Sequence, residues 1–526
     1  MTTHPTHNPV QVSRRGLLAA AAGIAGVTVF GTAACGSDDD TSKSTNSAAI
    51  NYYYQPCGLK KGAYSMTEMQ KTFGITFTDV YALSMDDYST RFQTNLAQNK
   101  IPDVMAINGP DMLQKFAEQG AFGEVPVDFV RENAPKFAAG VDKYVPAAWS
   151  TTLFDGKNYG FPGIGGPGSR ANAFTEWRSD LLEKAGVSGV PDTIDEYESA
   201  FAALKKIGVY GMSTNGQSFF GAFMTIFGAY GVLPMQWQVS GGKVVNDSVR
   251  PETKQALELL AAWYKKGYID PECMGPDPSP KFVAGKVAMW DYGGPSDLDL
   301  TNAGGRLVAI RKTNPNGNIA FSAPMQGPGG RNGWTFGAAG WPVAFSPDAA
   351  KDKEKLKHVL QIWDRVWSDD ELATRLSIGV EGTMYKLTDS AKGIAGGFEW
   401  IGKYVDPLAR QAEGFNSYGA PFIGQPNWDI AASLAQPDPT AQQMIATYGK
   451  YARADLFENS MAVPGSGQYA ADLQNLKVKA FSQIITGAAP LSSFDSFVSQ
   501  WNAQGGSQLQ KAANDLYQQT GGGKHK

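Results

Sequence analysis

The sequence predicts an α/β protein with at least two lobes, each built on a mostly parallel sheet. The chain has 526 residues, which is too long for one compact core. Its residues are 42% hydrophobic and 18% charged, as in folded proteins rather than disordered ones. From Ala48 onward, short apolar runs alternate with amphipathic helical patterns, and this alternation is typical of β-α-β units.

Charge and histidine content argue against several classes of function. The net charge is −4, and it becomes −6 without the first 34 residues, which carry Arg14 and Arg15 and no acid. A negative net charge without any run of basic residues is unfavourable for binding nucleic acid, which is itself negatively charged. Only His358 lies away from the tails, inside a helical pattern, so histidine-based catalysis and a multi-histidine metal site are both disfavoured.

Residues 1–35 have the pattern of an export signal. Arg14 and Arg15 precede a mildly apolar Ala/Gly-rich segment, which predicts twin-arginine (Tat) export. Thr32-Ala33-Ala34-Cys35 resembles a lipoprotein processing site, with Cys35 as the lipidated, palmitate-bearing first residue, although Thr32 replaces the usual aliphatic residue. An uncleaved anchor is the alternative, but so many Ala and Gly make a poor spanning helix. Residues 36–47 form a polar tether, so the body is expected at the outer face of the cytoplasmic membrane.

The first β-α-β unit is predicted from a strand ending at Tyr54 and Gln55, a helix at 67–73 and a strand at 75–81. A further strand at 101–107 leads into Asn108. The carboxyl ends of parallel strands are where open α/β sheets hold ligands. Asp111 also falls near this strand end, where a role as the cap of a helix over 112–120 explains it at least as well as ligand contact does.

The middle of the chain carries turn and cap signals. Asp155-Gly156 predicts a hairpin turn, after which Tyr159 and Phe161 share one strand face. Thr193 and Glu196 form a capping box for a helix ending at Lys206, and a second helix is predicted over 251–266.

The segment Phe282–Gly294 is the most informative in the chain. It predicts the end of a helix, a tight turn and a short strand over Val287–Met289. Trp290, Asp291 and Tyr292 follow directly, before two glycines. Two aromatic rings and a carboxylate at the carboxyl end of a strand are suited to binding a sugar. The alternative is that both rings pack in the core.

Five segments in this order resemble motifs of family 1 extracellular solute-binding proteins, the binding components of ABC importers. In chain order they are Pro-Asp-Val at 102–104, the hairpin at 154–162, F-x-x-G-K-x-A-M at Phe282–Met289, G-x-E-G-x-x-Y at Gly379–Tyr385 and the closing helices at 477–504. The fourth and fifth are similar to the large polysaccharide- and oligosaccharide-binding subgroup. The resemblance covers about residues 48–520.

The resemblance implies a two-lobe periplasmic-binding-protein-like fold of type II, with a hinge of several crossings. Lobe 1 is then expected at 48–171 plus 337–385, lobe 2 at 172–336 plus 386–520, and a tail at 521–526. It also implies a monomer that captures a carbohydrate in an interlobe cleft and delivers it to the membrane subunits of an ABC permease. No nucleic acid, cofactor or catalytic residue is expected.

The candidate ligand site follows from sugar chemistry, because aromatic rings pack on the C–H faces of a sugar while amides and carboxylates bind its hydroxyls. The expected stacking rings are Trp290, Tyr292, Phe161 and Trp334. The expected polar contacts are Glu381, Asn108, Gln55 and Asp291. Further candidates are Tyr385, Tyr54, Trp177 and Trp428, and Met384 stands where the subgroup often has His.

Calcium and a disulfide are both disfavoured. Relatives of the long-chain subgroup often carry a calcium loop after the helix that ends at Lys206, but the residues 205–210 offer no oxygen ligands, so no metal is expected. The resemblance places Cys57 and Cys273 in different lobes, which favours two unpaired thiols.

Two other functions remain open from sequence. A secreted glycosidase or lyase would also combine carboxylates with aromatic clefts, although no localised acid pair stands out. The same fold could instead bind iron or a polyamine, but alternating strand geometry points the side chains of Tyr52, Tyr53 and Tyr54 to opposite faces.

Overall fold

Two sheets organise the chain, and in each of them one strand runs against the others. The computed structural model describes residues 48–54, 59–82, 92–107, 109–165, 174–217, 219, 221–234, 236–275, 278–294, 297–298, 305–335, 337, 340–415, 425, 427–435, 439–457 and 462–519. Residues 46–526 group as one unit by their backbone contacts.

The strands are numbered in chain order. They are β1 (Ala49–Tyr54), β2 (Thr76–Ala82), β3 (Val104–Ala106), β4 (Leu153–Phe154), β5 (Lys157–Asn158), β6 (Gly160–Phe161), β7 (Phe174–Arg178), β8 (Tyr210–Met212), β9 (Trp237–Ser240), β10 (Lys243–Asn246), β11 (Val287–Gly293), β12 (Ile319–Ser322), β13 (Gly333–Trp334), β14 (Val343–Phe345), β15 (Tyr385–Leu387), β16 (Phe398–Trp400) and β17 (Ala452–Arg453).

The α-helices are named by their bounds. They are Tyr64–Phe73, Pro110–Ala117, Val127–Asn133, Pro135–Tyr144, Ser179–Lys184, Ile194–Lys206, Met224–Ala229, Pro251–Lys265, Ser279–Val283, Arg306–Thr313, Pro347–Lys351, Lys353–Ser368, Asp370–Ile378, Pro407–Glu413, Trp428–Ala435, Pro439–Gly449, Ser466–Ile485, Ser493–Trp501 and Ser507–Gln519.

The first sheet has the order β2-β1-β3-β14-β6, and the second has the order β12-β7-β11-β8. In the first, β1 pairs in parallel with β2 and β3, whereas β14 is antiparallel to both of its neighbours. In the second, β8 and β11 are parallel, whereas β7 is antiparallel to β11 and β12. The mostly parallel sheets expected from sequence are therefore present in both lobes.

Each sheet carries apolar clusters of its own. Phe137 and Trp363 belong to one cluster of the first sheet, and Phe116 belongs to another. Clusters around Trp263 and Ile310 cover the second sheet. Helices packed against sheets in this way bury the faces of the strands and leave the strand ends as the places where a ligand can reach backbone and side chains.

Three segments that are distant in sequence meet at one point, around Gly163, Gly340 and Gln425. Gly340 donates its N–H to the carbonyl of Gly163 at 2.8 Å. A Cβ on Gly163 would lie 2.2 Å from the Trp341 carbonyl oxygen, so the close approach requires glycine there. The Gln425 side chain bonds the backbone of Ile164 at the same point. Backbone segments side by side at one point suit a hinge.

The predicted lobe boundaries stay a prediction, but contacts bear on one of them. Trp428 stacks on Tyr144 of the first lobe, with ring centroids 4.5 Å apart, and Asn427 donates to the Trp367 carbonyl at 3.0 Å. In contrast, Tyr448 packs against Phe174 of the second sheet. These contacts place Asn427 and Trp428 against the first lobe, whereas the sequence analysis expected residues 386–520 in lobe 2.

Several local predictions are confirmed and others are wrong. The Thr193–Glu196 capping box is present. Asp155 and Gly156 both have positive φ in the tight turn between β4 and β5. Strand β11 runs through Trp290 and Tyr292 rather than ending at Met289. Asp111 lies in the first turn of its helix, where Gly109 occupies the cap position.

Candidate functional site

The clearest aromatic site lies at the carboxyl end of β11. The rings of Tyr292 and Trp334 have centroids 5.9 Å apart, with 40° between their planes. Met224 and Leu233 pack with Trp334 in one small apolar cluster, against which Tyr292 lies. The Tyr292 ring packs against Gly221, where a Cβ would clash with it at 2.6 Å. Tyr292 is half-buried, whereas Trp334 is 4% exposed.

Asp291 directly precedes Tyr292 in β11 and is 1% exposed. The backbone N–H groups of Phe223 and Met224 and the Thr214 hydroxyl face its carboxyl group and favour the ionised form. None of them makes a hydrogen bond of normal geometry, so both carboxyl oxygens are without a partner. Burial raises the pKa of Asp291 to about 7. A buried acid left unpaired in a native fold is a candidate functional group.

Trp290 is 5% exposed, about as little as Trp334, and the two residues differ in what lies over the ring. The Arg306 guanidinium lies over its ring, 4.9 Å from the centroid, and its indole nitrogen has no hydrogen-bond partner. The ring also packs with Phe174 and Ile310 in the core. A ring covered in this way has no open face for a sugar, so this placement favours the core alternative for Trp290.

An ion network fixes Arg306 in that position. Its guanidinium donates to Asp297 at 2.6 Å and contacts the Glu176 carboxylate at 3.3 Å. Glu176 is fully buried. Its pKa is raised well above the usual range, mainly by burial and in addition by repulsion from Asp297. A Cβ on Gly293 would lie 2.2 Å from the Glu176 carboxyl group, so glycine allows the acid to reach Arg306.

The first lobe meets the second at the helix Pro110–Ala117. The Asp111 side chain is exposed, yet it faces the Ser466 hydroxyl of lobe 2, and surrounding protein atoms raise its pKa. A Cβ on Gly467 would lie 3.6 Å from Glu118 and from the backbone of Lys115. The two lobes therefore come into close contact here.

Phe161 and Trp177 are fully buried core residues. Phe161 packs against Phe137 and Trp363, with ring centroids 5.9 Å and 4.8 Å away. Trp177 packs against Tyr197 at 5.0 Å in the core of the second lobe. Neither ring has a surface open to a ligand, because helices from distant parts of the chain cover both.

The remaining predicted residues are scattered. Tyr385 is buried against Phe398, and Glu381 is exposed and joined to Tyr385 by a backbone bridge. Trp428 lies on Tyr144. The backbone of Tyr54 ends β1, but its side chain, together with Gln55, Asn108 and Cys35, lies outside the described residues.

Four residues around this site were not among the ligand contacts expected from sequence. Asp111 is predicted from sequence as either a helix cap or a ligand contact, and Met224, Leu233 and Arg306 are not among the predicted residues. The signal for Asp111 was its position directly after a parallel strand, where ligand contacts concentrate. The other three contribute through contacts with residues distant in sequence, which no local pattern reveals.

The described residues were also compared with the patterns of metal sites, reactive thiols and membrane-spanning helices. No group of three or more His, Cys, Asp or Glu side chains is placed to hold a metal there. Cys273 is a buried free thiol whose pKa burial raises to about 12, and Cys57 lies outside the described residues. None of the described helices is both long and apolar enough to cross a membrane.

The sequence comparison decides the family. The profile described as bacterial extracellular solute-binding protein matches residues 65–360, which is more than half of the chain. This chain is a bacterial extracellular solute-binding protein. The family resemblance of the sequence motifs is thereby confirmed.

Relatives of this solute-binding protein extend over most of its length. Lipoprotein LipO of Bacillus subtilis (strain 168) is 25% identical over 368 residues, which cover 65% of this chain and 68% of that protein. Polygalacturonan/rhamnogalacturonan-binding protein YtcQ of the same strain is 22% identical over 490 residues, which cover 90% of each chain.

Solved structures show the same fold. Alginate-binding protein AlgQ2 without calcium ion matches with a TM-score of 0.66 at 17% identity, covering 90% of this chain and 99% of that one. The S. pneumoniae ABC-transporter substrate binding protein FusA in complex with kestose matches with a TM-score of 0.64 at 15% identity, with the same coverage. The predicted two-lobe α/β fold is therefore confirmed.

Proposed function

We propose that this solute-binding protein captures an oligosaccharide between its lobes and delivers it, chemically unchanged, to the permease of an ABC importer. The observation that carries the proposal is the Tyr292–Trp334 pair, set at the carboxyl end of β11 beside the buried acid Asp291. Flat rings pack on the C–H faces of a sugar, and an acid beside them accepts hydrogen bonds from its hydroxyls.

The names of the relatives support a sugar ligand. YtcQ is named for polygalacturonan and rhamnogalacturonan, AlgQ2 for alginate, and the FusA structure contains kestose. These relatives are binding proteins rather than enzymes. The alternative of a secreted glycosidase or lyase therefore has no support beyond the shared use of acids and aromatic rings.

The proposed ligand contacts are narrower than the set expected from sequence. Tyr292, Trp334 and Asp291 form their centre, with Asp111 on the opposite lobe. Phe161, Trp177 and Trp290 are left out because their rings are covered. The other candidates stay proposals without a described contact to this centre; they are Glu381, Tyr385, Trp428, Tyr54, Gln55 and Asn108.

The location outside the cell is shared by the family, and we propose the anchoring in more detail. Twin-arginine export, lipidation of Cys35 and a monomeric body on the tether 36–47 would hold the cleft near the permease. Replacement Cys35→Ala is expected to release the protein from membranes into the medium. Retention of this variant in the membrane fraction would contradict the lipid anchor.

The experiment that tests the function is a thermal-shift screen of the mature protein against neutral and acidic oligosaccharides. A ligand that binds the folded state raises the melting temperature, by an amount that grows with its concentration over the Kd. Replacement Tyr292→Ala should weaken the binding found, whereas Tyr210→Ala, at the other end of the same sheet, should leave it unchanged. No shift with any carbohydrate would overturn the proposed function.

A further inference from the structure

We propose that the cleft of this solute-binding protein selects neutral or ammonium-bearing oligosaccharides and rejects polymers of uronic acids. This inference rests on the proposed function and adds the charge class of the ligand to it. Its basis is a pair of acids, one at the sheet edge of each lobe, that lack a cationic partner in the described part of the chain.

The first acid is Asp291 in lobe 2. Its two carboxyl oxygens are buried and unpartnered. The groups that face it are the Thr214 hydroxyl and the N–H groups of Phe223 and Met224, with no Lys or Arg among them. The phenol of buried Tyr448 is the other titratable group facing it. A carboxyl group in this setting is best satisfied by hydroxyl or ammonium donors from a ligand.

The second acid is Asp111 in lobe 1, which is exposed at the contact between the lobes. It faces the Ser466 hydroxyl and the carboxyl group of Asp455, which adds negative charge rather than neutralising it. Lys115, one helical turn away, lies instead over the ring of Phe116, with Nζ 5.6 Å from the centroid. Asp111 therefore also lacks a neutralising cation among the described residues.

Three described arginines around the second sheet, Arg306, Arg331 and Arg453, are already neutralised. Arg306 is held by Asp297 and Glu176, and Arg453 is held by Asp247 at 2.6 Å. Arg331 pairs with Asp192. Because each guanidinium is committed to a protein carboxylate, none of these three offers the free bidentate site that a uronate would need.

The consequence for the ligand is a matter of charge. Polygalacturonan and alginate carry one carboxylate on each sugar, whereas fructans and mannans carry none. A uronate chain between the lobes would bring carboxylates close to two unneutralised acids in a site of low dielectric, where repulsion between like charges is strong. A neutral sugar meets the same acids as hydrogen-bond acceptors.

The test uses matched ligand pairs and isothermal titration of the mature protein. One pair is β-1,4-mannan and β-1,4-mannuronan oligomers of equal length, and the other is oligogalacturonate and its methyl ester. Within any pair that binds, the neutral member is expected to bind at least about tenfold more tightly, equivalent to about 1.4 kcal/mol. These pairs are titrated alongside the neutral and acidic oligosaccharides of the thermal-shift screen and an added set of ammonium-bearing oligosaccharides.

The outcomes separate the two levels of the proposal. Binding of neutral or amino sugars with weaker or absent binding of uronates supports the inference. Equal or tighter binding of a uronate overturns the inference but leaves the proposed function intact. Absence of binding by every carbohydrate overturns both.

Charge variants give a second, independent readout. Asp111 is exposed, so Asp111→Lys is expected to fold and to narrow the preference for the neutral member by about tenfold. The control is Glu132→Lys, which makes the same charge change at an exposed position of the helix Val127–Asn133 and should leave the preference unchanged. An unchanged preference in Asp111→Lys, or an equal change in the control, would contradict a role for Asp111.

Discussion

Tyr292 and Trp334 come from different strands, β11 and β13, and their ring centroids lie 5.9 Å apart at the carboxyl end of β11. The pair rests on Met224 and Leu233, which are almost fully buried. The aromatic surface that we propose for the ligand is therefore held by the core of lobe 2 and not by a loop alone. Its geometry should depend on the interactions that fix Leu233.

Asp247 is the residue that fixes Leu233. Its buried carboxylate accepts the Leu233 N–H at 2.8 Å and pairs with Arg453 and Arg250 at 2.6 and 3.1 Å. Replacement Asp247→Ala should lower the free energy of unfolding by about 3–5 kcal/mol, because it leaves buried charge unpaired. It should also weaken ligand binding, because Leu233 packs against Trp334. Denaturant unfolding and titration measure the two effects.

The control for Asp247 is Asp192→Ala, which breaks the more exposed pair with Arg331. This change should cost about 1 kcal/mol or less, because exposed ion pairs contribute little. Equal losses in the two variants would contradict the structural role given to Asp247.

Gly467 is predicted to allow closure of the lobes. Replacement Gly467→Ala should change little, since its Cβ would lie at ordinary contact distance, 3.6 Å, from Glu118 and Lys115. Replacement Gly467→Trp should hold the lobes apart and weaken ligand binding at least about tenfold while the melting temperature of the free protein stays near that of the wild type.

The matched control is Asp472→Trp, at an exposed position on another face of the same helix. Binding that survives in Gly467→Trp would show that the contact between the lobes is not part of ligand capture.

Lys477 is a buried cation that should reduce stability at neutral pH. Its only described hydrogen bond is to the Pro234 carbonyl at 2.8 Å, and burial lowers the pKa of Lys477 to about 7. Between pH 7 and the unfolded-state pKa of about 10.4 the unfolded chain binds one more proton, so the free energy of unfolding should rise with pH in this window.

Replacement Lys477→Met should therefore stabilise the fold at pH 7 by about 1–4 kcal/mol and should remove that rise with pH. The comparison variant is Lys479→Met, at an exposed position on the same helix, which should change neither. Denaturant unfolding at several pH values measures both effects. A less stable Lys477→Met variant would mean that the buried cation has a stabilising partner.

Gly293 makes room for the Glu176–Arg306 pair. Replacement Gly293→Ala would place a Cβ 2.2 Å from the Glu176 carboxyl group, so we expect a loss of about 1–3 kcal/mol in the free energy of unfolding. Gly449→Ala, where a Cβ meets no atom within 4 Å, should change stability by about 0.5 kcal/mol or less. Thermal unfolding of both variants distinguishes crowding from a general effect of alanine.

Sequence patterns predicted the fold where local signals agree with the tertiary structure. The Thr193–Glu196 box and the helix Pro251–Lys265 follow from caps and periodicity, and the parallel strands follow from apolar runs between helices. The Phe282–Gly294 segment also led to Tyr292 and Asp291, because aromatic and acidic residues directly after a predicted strand indicate a ligand edge.

Local sequence patterns did not predict the direction in which the aromatic side chains point. The strand β11 continues through Trp290 with a register shift before Gly293, and Arg306 covers the Trp290 ring. Phe161 is buried by Phe137 and Trp363, which come from distant helices. A local pattern identifies an aromatic residue near a strand end, but only packing decides whether its ring meets core or ligand.

The most direct test of the central claim is native mass spectrometry of the mature protein after incubation with an oligosaccharide identified by the thermal-shift screen. The account predicts a complex of one chain with one intact oligosaccharide, and recovery of that sugar at its original mass after denaturation. Recovery of shortened or modified sugar, or no complex with any carbohydrate, would contradict capture and release without chemistry.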